Sequence, residues 1–166
     1  MNKQETIRLT DLNESFIEDY LLLVNDPVVA STTEPGSTPR VFSKAEILTW
    51  LCSLKDKENR KDFAIVKETT GEFVGEVVLN QIKSGMGNIR IAILPIFFDL
   101  GFGSTALRLA IDYAFLKLNL EKITLGVYEI NPRALKVYKR LGFVEVGKEV
   151  DEGLVEIMME LNKQNW

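Results

Sequence analysis

The chain has 166 residues, 46% hydrophobic and 27% charged, with a net charge of −4; this fits one soluble domain over residues 1–166 that buries a core unaided. It contains no histidine and only one cysteine, Cys52, so a zinc or other metal site, a Ser–His–Asp triad, a Cys–His pair and an internal disulfide are not expected. The acidic balance argues against nucleic-acid binding; with no bilayer-length apolar run and no signal-peptide pattern at the start, no membrane association and a cytoplasmic location are expected.

Residues 5–12, "ETIRLTDL", alternate like a first strand. Asn13 stands at an N-cap position, and residues 15–26 carry apolar residues at helical spacing until Pro27. "STTEPGSTPR", residues 31–40, reads as a loop. Ser43 and Glu46 form a capping-box pattern ahead of an amphipathic helix containing Cys52, a lone thiol expected to pack rather than react. Residues 62–68 and 73–82, joined through Gly71, read as a hairpin, and residues 89–94 as a third antiparallel strand after the turn "KSGMGN". A long helix follows Gly101, with Leu107, Ala110, Ile111, Ala114, Phe115 and Leu118 on one side. A strand over 121–129, a helix over 131–140 and strands over 143–150 and 154–161 complete the order β-α-α-β-β-β-α-β-α-β-β. That order predicts a mixed α/β (α+β) fold, with a mostly antiparallel central sheet and helices on both faces.

Two segments carry chemistry. In "FFDLGFGSTALRLAIDYAF" two glycines spaced by one residue open the long helix after a strand end. Backbone amides from Leu100 through Gly101, Phe102, Gly103, Ser104 and Thr105 suit anionic oxygens, with hydroxyls of Ser104 and Thr105 as further donors. The plainer reading is a glycine-rich turn into a helix. In "NPRALKVYKRLGF" Asn131 is a good N-cap, Pro132 suits the first helical position and Gly142 the left-handed residue after the helix. Leu135 and Leu141 are core positions, and spacing alone favours Tyr138 as a packed ring over a reactive one.

Together the segments resemble the GNAT family of acetyl-CoA-dependent N-acetyltransferases, and the element order is similar to that family's fold. The motif N-x-x-A-x-x-x-Y-x-x-x-G-F is met by Asn131, Ala134, Tyr138, Gly142 and Phe143. Gly101 and Gly103 match the second half of the family's Q/R-x-x-G-x-G/A loop, while Phe98 stands where Gln or Arg is usual, followed by Asp99 and Leu100. The chain looks most like the branch that holds ribosomal-protein N-terminal and spermidine/spermine acetyltransferases. The resemblance implies acetyl-CoA as co-substrate, with its pyrophosphate on the 100–105 loop and pantetheine on Asn131, Ala134 and the backbone of Ile91, Ala92 and Ile93. It implies Tyr138 as general acid to the departing thiolate, since acid–base work without histidine falls to Tyr, Asp, Glu, Lys, a backbone amine or water. The amine's proton would leave through water to Glu76 or Glu34, although Glu76 also reads as a solvated strand residue. Glu34 would pair with a cationic acceptor, a small-molecule amine or a protein N-terminus, and a homodimer is compatible. A non-catalytic acyl-CoA-binding module or a ligand-free scaffold are the competing readings.

Overall fold

A computed structural model describes residues 5–38 and 40–166. Seven strands form one sheet in the order β1-β2-β3-β4-β5-β7-β6. They are β1 (Ile7–Asp11), β2 (Lys61–Lys67), β3 (Phe73–Lys83), β4 (Met86–Ile93), β5 (Lys122–Tyr128), β6 (Val144–Asp151) and β7 (Leu154–Asn162). Every neighbouring pair is antiparallel except β4 and β5. The expected meander is present as β2-β3-β4, with β4 beginning three residues earlier than the pattern suggested because the turn narrows to Ser84–Gly85.

Among the described residues five α-helices cover the sheet: α1 (Ile17–Val24), α2 (Pro27–Thr33), α3 (Lys44–Ser53), α4 (Phe102–Leu116) and α5 (Pro132–Leu141). On one face the α4 stripe of Ala106, Leu107, Ala110, Ile111, Ala114 and Phe115 joins Phe63, Ile65, Val77 and Leu79, with Tyr138 and Leu141 of α5 in the same core. On the other, Tyr20 and Leu23 of α1, Val29 of α2 and Ile47 and Leu51 of α3 pack on Ala64, Val66 and Phe73. The mixed sheet with helices on both faces is thus as the residue pattern predicts.

Three local features differ from the sequence reading. Residues 27–33, partly assigned to a loop, form α2: Pro27 does not only stop α1 but takes the first position of a new helix, where its missing N–H costs nothing. Asp26 caps that helix through bonds from Val28 N (2.8 Å) and Val29 N (3.1 Å). Asn13 does cap, but it caps a 3-10 turn at Glu14–Phe16 that runs into α1, accepting from Ser15 N at 2.9 Å. Cys52 is exposed, not packed; it follows buried Leu51, and about 100° of helical rotation per residue carries it to the outer face. The expected capping box of α3 is present at Ser43 and Glu46. No helix among the described residues is long and apolar enough to cross a membrane.

Candidate active site

The parallel pair β4 and β5 holds the feature that matters most. The two strands are in register only at Met86–Lys122, Gly87–Ile123 and Asn88–Thr124. Beyond Asn88 they part, although β4 runs on to Ile93 and β5 to Tyr128. This leaves a wedge open at the carboxyl ends of two parallel strands, the place where open α/β sheets receive ligands. Backbone groups alternate sides along β4, and Leu94 N bonds to Val74 O of β3 at 2.9 Å. By that alternation Ile91 and Ile93 turn their peptide groups toward the wedge, whereas Ala92 turns toward β3. Ala92 therefore does not offer the backbone donor expected of it, because its hydrogen-bonding side is already inside the sheet.

Each wedge strand leads into a helix whose start lies at the opening. The α4 side begins at Gly101, with φ +80°, which a residue with a Cβ adopts only under strain. Gly103 differs. Its backbone is ordinary, and an added Cβ would meet only Ile91 Cδ1, at 3.9 Å. No neighbour among the described residues requires glycine there. Thr105 N bonds to Gly101 O at 3.2 Å, and the Thr105 hydroxyl donates to the same oxygen at 3.2 Å. Both donors of Thr105 are engaged within the helix, so the open amides are those of Leu100 to Ser104, one residue fewer than the sequence reading assigned.

On the β5 side Asn131 caps α5 by accepting from Ala134 N at 3.3 Å, which uses its carbonyl oxygen and leaves its amide N–H₂ available. The helix ends as expected at Gly142, φ +103°, with Phe143 N bonding back to Tyr138 O at 3.1 Å. Tyr138 is buried in the core, its ring set edge-on to Phe143 at 5.9 Å. The hydroxyl has no hydrogen-bond partner among the described residues, and burial pushes its pKa up to about 12.

Glu76 overturns the solvated reading outright. It is 5% exposed and pairs in register with Ala92, one strand from the wedge. Its Oε1 lies 3.6 Å from Arg90 Nη2, and its Oε2 is fully sealed from solvent with no partner among the described residues. Desolvation raises its pKa, with the Arg90 guanidinium opposing the rise. The neighbouring phenol of Tyr20 is pushed upward as well, by burial first and then by Glu76. A surface carboxylate would have been solvated; the second core, α1 and α3 against β2 and β3, is what shields Glu76 from bulk solvent.

Glu34 is exposed, at the end of α2. The next turn reaches the far side of the wedge, since a Cβ on Gly36 would stand 3.0 Å from Leu154 Cδ1 of β7. Tyr128, the last residue of β5, has its pKa raised by burial, then by Glu156, Asp151 and Glu34. Three carboxylates thus lie around one end of the wedge, and Asp151 and Glu156 had no motif to mark them. A further pair escaped notice: Arg133 Nη2 bonds to Asp99 Oδ2 at 2.5 Å.

Among proteins of known name, the spermidine N(1)-acetyltransferase of Vibrio cholerae is 35% identical over 97 residues, 57% of this chain and 56% of that protein. That of Escherichia coli (strain K12) is 33% identical over 111 residues, 64% of this chain and 60% of that protein. The matches to these two relatives therefore span less than two thirds of their length. Probable N-acetyltransferase YjcK of Bacillus subtilis is 28% identical over 149 residues, 87% of this chain and 76% of its own. The crystal structure of the V. cholerae spermidine N-acetyltransferase in complex with CoA and spermine superposes with a TM-score of 0.86 at 25% identity, covering 96% of each chain. The acetyltransferase (GNAT) domain model matches residues 6–144, and with the parted β4 and β5 strands between two helix starts, the chain belongs to the GNAT acetyltransferase family.

Proposed function

We propose that the protein transfers an acetyl group from acetyl-CoA to a primary amine, with a polyamine such as spermidine or spermine as acceptor. The observation that carries the reading is the wedge between β4 and β5, flanked by open amides at α4 and by Asn131 at α5. Pantetheine fits there as an extra strand, bonded by the backbone of Ile91 and Ile93 and by the Asn131 amide, while the pyrophosphate rests on the amides of Leu100 to Ser104. The polyamine assignment is supported by the spermidine-acetylating relatives and by Glu34, Asp151 and Glu156 at one end of the wedge.

The neutral amine attacks the thioester carbonyl carbon, and the backbone N–H groups at the end of β4 stabilise the oxyanion. The C–S bond then breaks, giving the N-acetyl amine and the CoA thiolate. Tyr138, protonated throughout the physiological range, donates toward that sulfur. The proton lost by the nitrogen passes through water to Glu76, whose raised pKa makes it a better acceptor than an ordinary carboxylate. The apolar outer strand β6, with Val144, Val146 and Val150 exposed, suits a homodimer contact.

The test is CoA release from acetyl-CoA with spermidine, spermine, simple monoamines and peptides bearing a free N-terminus. Turnover highest with polyamines supports the assignment. Turnover confined to peptides redirects the acceptor, and CoA binding without turnover on any amine favours the non-catalytic module.

A further inference from the structure

The segment ahead of α4 departs from the family loop at Phe98, where Gln or Arg is usual, and brings an acidic Asp99 beside the expected phosphate site. The structure shows what these two residues do. Arg133, on the first turn of α5, lies with its guanidinium carbon 4.7 Å from the centre of the Phe98 ring. Its Nη2 bonds to Asp99 Oδ2 at 2.5 Å. Asp99 itself adopts φ +62°, a conformation uncommon for a residue with a side chain. The pair joins the two segments that open onto the wedge, from the loop before α4 to the start of α5.

We infer that Arg133 supplies the side-chain donors for the CoA pyrophosphate that Phe98 cannot offer, held for that task by Phe98 and Asp99. The inference rests on the acetyl-CoA reading above. A guanidinium carries five N–H donors in a planar fork. Stacking on Phe98 fixes the plane, and Asp99 fixes one edge. The remaining donors have no partner among the described residues, and the side chain remains 49% exposed. Only Leu100 separates Asp99 from Gly101, the cap of α4, so the tethered guanidinium is held close to the amides of Leu100 to Ser104. The pairing also explains how an acidic residue is tolerated there: Arg133 neutralises Asp99 before the phosphates arrive. Beyond Arg133 the same helix continues a positive path, a surface hollow of about 520 Å³ lined by Pro132, Leu135, Lys136, Lys139 and Arg140.

The experiment compares acetyl-CoA with S-acetyl-pantetheine, which has the thioester and the arm but no phosphate. Arg133→Ala should raise KM for acetyl-CoA by about ten- to a hundredfold, as expected for loss of a charge-assisted contact, and leave kcat/KM for S-acetyl-pantetheine unchanged. Arg133→Lys, which keeps the charge and loses the fork, should fall between. Calorimetric affinity for CoA should show the same order and a shallower salt dependence in Arg133→Ala. Equal losses with both donors would make Arg133 a latch that only shapes the wedge, and an unchanged KM for acetyl-CoA would give it no part in binding; either result overturns the inference. Failure of the unmodified protein to bind CoA would sink the acetyl-CoA reading instead.

Discussion

Tyr138→Phe deletes one oxygen and leaves the ring packed on Phe143, so the effect on activity can be separated from that on folding. The hydroxyl has no partner among the described residues, hence no internal hydrogen bond is lost and thermal stability should hold or rise slightly. The size of the catalytic loss follows from the pKa. Full transfer from a phenol near 12 to a thiolate of about 8.5 is uphill by about 3.5 units, or ~5 kcal/mol. On the proposed mechanism Tyr138 would therefore act mainly by donating a hydrogen bond to sulfur as negative charge develops, completing the transfer only as the product forms. A hydrogen bond to a charged group contributes about 1.5–3 kcal/mol, so kcat should fall about 10- to 150-fold, below or at the bottom of the ~10²–10⁴-fold range for general acids. The phenol stays protonated below its pKa, so no alkaline loss of kcat from this group should appear until about pH 11. The assay is pre-steady-state acetyl transfer under conditions where chemistry limits the rate, with melting followed in parallel. An unchanged rate constant, or a rate loss matched by a fall in Tm, would return Tyr138 to a packing role.

Gly103→Val adds a side chain where the protein leaves room, so Tm should change little while CoA affinity falls at least tenfold; unaltered calorimetric binding would leave the glycine as only a turn residue. Glu76→Gln should lower kcat/KM by about 10²-fold and flatten its acidic limb. Because the folded pKa is raised, the ionised carboxylate opposes folding: stability is fullest below the unfolded value of about 4.3 and declines as pH rises through the folded pKa. Glu76→Gln should therefore melt no lower than the parent at pH 7, and a large fall in Tm there would refute the desolvated carboxylate. Glu34→Gln should raise KM for polyamines and spare KM for acetyl-CoA, and an unchanged polyamine KM would remove Glu34 from the acceptor site.

What the sequence determines by itself is local. The short apolar runs of β2 to β4 bounded by turn residues, the helical stripe of α4, the Asn131–Pro132 start and Gly142 stop of α5 and the glycine pair at α4 depend on neighbours within one turn or strand, and each is legible without the fold. The motif around Tyr138 and the glycine pair, taken with the element order, pointed to the family on the same ground. Pro27 misleads because its fixed φ both ends one helix and starts the next, and only the following side chains and Asp26 decide between them. The remaining decisions belong to the tertiary structure. Glu76 looks solvated until α1 and α3 close over the sheet and shield it from bulk solvent. The peptide groups of Ile91 and Ala92 are equivalent in the sequence, and diverge only when β3 takes one side of β4 and β5 abandons the other. Arg133 and Asp99, 34 residues apart, meet because the parting strands carry the starts of α4 and α5 to the same opening. Burial and long-range pairing arise from the packing of distant segments, so no spacing along the chain records them.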